Sequence, residues 1–109
     1  MSSWFELNKG VDGQYSFDLK DSNDETLLIS KQSYISRGSA KADIEVIQRN
    51  CSYIDRYDAK ESPNGEYYFD LHSPNQQVIA TSQRYETAES RDAAIATVRS
   101  DGKTRTVKT

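Results

Sequence analysis

The stretch Asn64-Gly65-Glu66-Tyr67-Tyr68-Phe69-Asp70-Leu71 restates Asp12-Gly13-Gln14-Tyr15-Ser16-Phe17-Asp18-Leu19 from 52 positions earlier. In a chain of 109 residues this repeat limits the outcome more than any other feature. Whatever one copy folds into the other must match, and the two must bury a surface together. Aligning 12–30 on 64–82 gives seven identities in 19 positions: Gly13/Gly65, Tyr15/Tyr67, Phe17/Phe69, Asp18/Asp70, Leu19/Leu71, Asn23/Asn75 and Ser30/Ser82. Average composition gives roughly one or two. The register then slips by one, since three residues separate Ser30 from Tyr34 but two separate Ser82 from Tyr85. Beyond the slip Ser39/Ser90, Ala42/Ala93 and Ile44/Ile95 coincide, and Ile47 meets Val98. Pieces near half this length rarely bury enough apolar surface alone. The expected organisation is one domain, 1–109, with repeats at about 4–54 and 55–108.

Within each copy the periodicities agree. Residues 4–9 alternate so that Phe5 and Leu7 share a face, and 57–61 place Tyr57 and Ala59 there. Asp12-Gly13 and Asn64-Gly65 are hairpin turn signals, because these residues tolerate positive φ. In the second strand Tyr15, Phe17 and Leu19 point inward, as do Tyr67, Phe69 and Leu71; Tyr68, Asp70 and His72 then point outward. Another turn falls at 22–24 and 73–75. A third strand follows at 26–31 and 78–83, whose apolar residues (Leu27, Leu28, Ile29; Val78, Ile79, Ala80) leave its faces unassigned. A helix comes next, with Ser36 or Ser39, and Thr87 or Ser90, as N-caps. Its apolar stripe is Ala40, Ile44, Ile47 and Cys51 in the first copy, and Ala94, Ile95 and Val98 in the second. Short segments at 52–54 and 104–108 read as closing strands. The fold class is α+β: two tandem β-β-β-α-β repeats in a single, mostly antiparallel sheet with two helices on one face.

Composition bounds function rather than fold. Hydrophobic residues are only 35% of the chain, but seven tyrosines supply rings that pack while keeping a hydroxyl in water. A net charge of −3 argues against binding that works by neutralising phosphates, although Lys103, Arg105 and Lys108 form a basic tail, read as solvated. Cys51 is the only cysteine, which excludes an internal disulfide and a Cys-based zinc site. No secretory signal and no membrane-length apolar run is visible, so a cytoplasmic protein without a cofactor is expected.

The order of these residues resembles the YegP-like family, small bacterial proteins of unknown function. Copy one carries it in Gly13-x-Tyr15-x-Phe17-x-Leu19, Glu25-Thr26, Ser30, Tyr34, Ser36, Ala40, Ile44 and Ile47. Copy two carries it in Asn64-Gly65-x-Tyr67-Tyr68-Phe69-x-Leu71, Asn75, Ser82, Tyr85 and Ile95-x-x-Val98. The resemblance spans nearly the whole chain. It implies one sheet with closing strands exchanged between units, a fused pseudo-dimer with an internal pseudo-twofold, and a monomer. Two departures stand out. Asp43 and Ala94 replace the glycine usual before the helix Ile, and the extra residue at Lys31-Gln32-Ser33 predicts a bulge or a longer loop.

Four residues are candidate ligand-binding groups: Tyr68, Asp18, Asp70 and His72. Asp18 and Asp70 are equivalent, and set near a pseudo-twofold they would form the carboxylate pair used in acid–base chemistry. Solvated charges on an open face are the plainer reading, and the favoured one. His72, the only histidine, reads as an exposed surface group, and Cys51 as a packing residue at a helix end. Tyr68 is the one outward aromatic of the central strands and suits stacking on a base or another flat ligand. The expected function is therefore a non-catalytic binding or adaptor module engaging a protein partner. Single-stranded nucleic acid or a small aromatic ligand on the open sheet is the alternative, and a carboxylate enzyme comes third.

Overall fold

A computed structural model describes residues 3–109. The first copy supplies β1 (Trp4–Lys9), β2 (Tyr15–Lys20), β3 (Thr26–Ser30) and α1 (Arg37–Asn50), followed by a 3-10 turn at Ile54–Arg56. The second supplies β4 (Tyr57–Glu61), β5 (Tyr67–His72), β6 (Val78–Thr81), α2 (Ala88–Asp101) and β7 (Val107–Lys108). All seven strands form one sheet in the order β4-β5-β6-β3-β2-β1-β7, antiparallel throughout except that β7 runs parallel to β1. The copies meet where β3 pairs with β6, and there Ile29 lies opposite Thr81, its own repeat counterpart. Antiparallel pairing at equivalent residues relates the copies by an approximate twofold.

Alternation in β1, β2 and β5 follows the expected inward set. Phe5, Leu7, Phe17, Leu19, Phe69 and Leu71 are buried beneath the helices, α1 lying over β1 and β2 and α2 over β4 and β5. The third strands, whose faces the pattern leaves open, are explained by a register shift in each copy, between Leu19 and Lys20 and between Leu71 and His72. A bulge turns two successive side chains toward one side. Leu27 with Leu28, and Ile79 with Ala80, are accordingly buried together. Where each ladder ends, the repeated serine takes over: the Ser30 hydroxyl accepts from the Phe17 N–H and the Ser82 hydroxyl from the Phe69 N–H.

The turns use the left-handed region at Gly13 and Gly65, with φ of 82° and 87°. In the next turn it is Asp21 that accepts from the backbone of Asn23 and Glu25. Ser36 and Thr87 are the N-caps, accepting from the N–H groups of Ser39 and Ser90. The extra residue at 31–33 is absorbed as loop, because the isolated pairings Tyr15–Tyr34 and Tyr67–Tyr85 restore equivalence after it. Asp43, in place of the usual glycine, accepts the Tyr34 hydroxyl at 2.6 Å.

At their C-terminal ends the helices converge on the twofold. Cys51 and Gly102 are repeat counterparts and face each other there. A Cβ on Gly102 would lie 2.8 Å from the Cβ of Cys51 and 2.9 Å from its Sγ. Gly102 has an ordinary helical φ of −66°, so space and not backbone conformation demands glycine. Cys51 is fully buried and burial raises its thiol pKa, in keeping with a packing residue.

One expected element is absent. Residues 52–54 do not form a closing strand; they lead into the 3-10 turn. A parallel partner for β4 would need a long crossover, and this segment runs straight into β4 itself. Only the second copy therefore sends a closing strand across, to β1.

Candidate functional site

Both helices cover one face, so the other face of the sheet is uncovered. On β4 and β5 it presents Asp58 and Lys60, and Tyr68, Asp70 and His72. Asp70 points to this outer face yet is only 6% exposed, and Lys60 Nζ lies 3.3 Å from its carboxylate. That contact raises the Lys60 pKa. Asp70 is thus a paired charge beneath a lysine and not the solvated one expected. His72 also departs from expectation. Its side chain is 14% exposed, Nδ1 lies 3.0 Å from the Ser73 carbonyl and Nε2 3.7 Å from an Asp58 oxygen. A carbonyl can only accept, so Nδ1 carries the hydrogen. Tyr68 is half-buried, and the Arg84 guanidinium lies 4.2 Å from its ring centroid. The stacking face is already occupied by a cation–π contact.

Asp18 lies elsewhere. It stands on β2, and two strands, β3 and β6, separate it from Asp70 on β5. Three inter-strand spacings make roughly 14 Å. The carboxylate pair, the less favoured of the two readings of Asp18 and Asp70, is therefore not formed. Residues at equivalent positions approach a twofold only when their strands do, and here the axis belongs to β3 and β6. Asp18 accepts from Asn8 Nδ2 at 3.3 Å, and burial, partly offset by Lys20, lifts its carboxyl above the usual range. Tyr68, Asp70 and His72 do share one surface. Among the described residues no three His, Cys, Asp or Glu side chains gather to hold a metal. A recess of about 640 Å³ between α1 and the β5–β6 turn is lined by Lys31, Asp43, Val46 and Ile79 but by none of the four candidates.

The outer side of β4 is the feature that sequence reasoning missed. Tyr67 exchanges backbone hydrogen bonds with Tyr85, and the Phe69 carbonyl accepts from Ser82, so both residues face away from β4. In an antiparallel ladder this leaves Tyr68 and Asp70 to pair with Lys60 and Asp58. The backbone groups of Tyr57, Ala59 and Glu61 consequently point off the sheet, and among the described residues no strand meets them. Ala59 shares the face of Tyr57 as its alternation predicts, yet it is exposed, whereas its counterpart Leu7 is buried. Nor is the basic tail merely solvated. Val107 packs against the core, Lys108 Nζ sits 4.0 Å from the Trp4 ring centroid, and Gln48 Nε2 donates to the Thr104 carbonyl. The exposed pair Tyr53 and Ile54 beside the open strand was the available signal, being apolar where a solvated link would be polar.

Comparison with known proteins agrees with the doubled architecture. The family model described as "Domain of unknown function (DUF1508)" matches the chain twice, over residues 11–58 and 62–108. The UPF0339 protein YegP of Escherichia coli (strain K12) is 44% identical over 108 residues, 99% of this chain and 97% of that protein. The solution NMR structure of the UPF0339 protein SO3888 from Shewanella oneidensis superposes with a TM-score of 0.92 at 39% identity, covering 99% of this chain and 91% of that one. That of yegP from E. coli gives 0.91 at 44% identity, covering 99% and 92%. With both halves matched and relatives alike from end to end, the chain belongs to the YegP-like family of DUF1508 proteins, whose function is unknown.

Proposed function

We propose that this chain is a non-catalytic binding module that engages a protein partner, as a cytoplasmic monomer, through the β4 end of its sheet. One observation carries this reading: at one side of the sheet β1 is covered by β7, only two residues long, whereas at the other the five-residue β4 is the edge and among the described residues no strand pairs with its outer side. An unpaired strand edge is a template for another chain unless it is blunted. Charged side chains blunt this one in part, yet Tyr53 and Ile54 beside it remain 54% and 57% exposed. No helix among the described residues is long and apolar enough to cross a membrane.

The test is a tagged pull-down from cell lysate with and without nuclease, followed by titration of the recovered partner in purified form. A saturable protein partner that survives nuclease supports the reading. Saturable turnover of a substrate, sensitive to mutation, would sink it. A second reading places a nucleic-acid base or small aromatic ligand on Tyr68. It draws on Tyr68 lying on the uncovered face, but requires Arg84 to leave the ring. Retained material that disappears with nuclease, and weakens in Tyr68→Ser, would favour it.

A further inference from the structure

The open edge has a filled counterpart in the same molecule. In the first copy, Lys41, Ile44, Glu45 and Gln48 of α1 line a cleft together with Arg105 and Val107 from the incoming closing segment. The repeat counterparts on α2 are Asp92, Ile95, Ala96 and Arg99, and these four line a niche of about 180 Å³ with Ile54. Ile54 is the counterpart of Arg105. Val107 has none there, because by Arg56 the chain has turned into β4, with the Tyr57 N–H bonded back to the Ile54 carbonyl. The strand edge repeats the comparison. Across from β1, Phe5 pairs with Val107, Glu6 pairs with Lys108, and the Phe5 N–H donates to the Thr106 carbonyl. On β4 the Tyr57 carbonyl and both backbone groups of Ala59 point outward.

We propose, building on the protein-binding reading above, that this edge takes up one extended segment of a partner protein running parallel to β4. The segment places a β-branched aliphatic residue in the niche and a Lys or Arg next to it, opposite Asp58. Its direction follows from β7 on β1. The aliphatic residue suits Ile54, Ile95 and Ala96. The cation follows from register and charge, because Asp58 is the counterpart of Glu6, whose Cα partner on β7 is Lys108. Of the basic groups around Asp58, Arg56 is turned away, its guanidinium 5.4 Å from the Tyr53 ring centroid and its Nε 3.3 Å from Asn50, Lys60 is held by Asp70, and His72 Nε2 stands 3.7 Å off.

The chain's own closing segment is a probe of this chemistry. The full chain, labelled with nitrogen-15, is titrated with a peptide of residues 103–109, Lys-Thr-Arg-Thr-Val-Lys-Thr. Saturable amide shifts centred on Ile54, Ala59, Glu61 and Ala96 are expected. They should vanish with the peptide bearing Val107→Asp. Ala96→Arg, which lays a charged chain across the niche from an exposed helix position, should weaken binding about tenfold or more. Ala59→Pro, which removes the edge donor, should do the same. Shifts gathered at Phe5 and Glu6 instead, or none up to about 1 mM peptide, overturn the proposal. Shifts at Ala59 that grow with protein concentration alone overturn it in favour of a second copy's strand. A nuclease-resistant partner held equally by Ala96→Arg would remove this site while leaving the binding-module reading intact. Peptide binding without any cellular partner would do the reverse.

Discussion

At the scale of single residues, the uncovered face is held by pairings rather than by free charges. Asp70 lies under Lys60, Arg84 lies on Tyr68, and Asp18 keeps a carboxylate whose surroundings resist its charge. A folded-state pKa above the unfolded value means that ionisation costs stability. That cost is absent below the ordinary carboxylate range near pH 3.9, develops as pH rises through the raised folded value, and is fully present at neutral pH. Asp18→Asn, which keeps an acceptor for Asn8, should therefore raise stability at pH 7. The group is only half-buried, so screening holds the gain under about 1 kcal/mol. Urea unfolding at pH 7 and pH 3 tests this: an equal gain at both would show that ionisation is not its source. What the sequence made legible at this scale was the direction of each side chain. It did not reveal the partner, because Lys60, Arg84 and Asp58 reach their positions through strand pairing across the chain.

At the scale of elements, strands and helices were readable because alternation and the 3.6-residue stripe each recur in two copies. The bulges hid the faces of β3 and β6, since two buried neighbours in sequence break a period of two. The closing strands were the ambiguous element, and chain connectivity decided them. Residues 103–106 lead across to β1, whereas residues 52–56 must deliver the chain into β4 itself and so cannot also pair alongside it. β7 is two residues long, yet Thr104 secures its approach through the Gln48 side chain and the Ser3 carbonyl. Deleting residues 104–109 should then cost about 1–3 kcal/mol through lost burial and hydrogen bonds. It should also replace the two-residue β7 edge by the bare six-residue edge of β1, so that light scattering detects self-association. A deletion variant as stable and as monodisperse as the full chain would mean that β7 is only an ornament on β1.

At the scale of the whole molecule, the core runs without a break across β3 and β6, from Leu28 to Ala80. Neither copy has a separate interior, so loss of one should expose the other. Trp4 reports from the first copy, being the only tryptophan, while far-UV circular dichroism reports from both. The two signals should give coincident urea transitions with one midpoint, and separated midpoints would show that the copies unfold singly. The contact of Cys51 with Gly102 gives this union an asymmetry as well as a stability. Two separate identical subunits would have to place the same side chain on both sides of their axis, and this axis has room for one. Joined in one polypeptide, the halves are released from that demand: a cysteine on one side and nothing on the other. From that point neither half is interchangeable with its twin, and each is free to drift toward a different task.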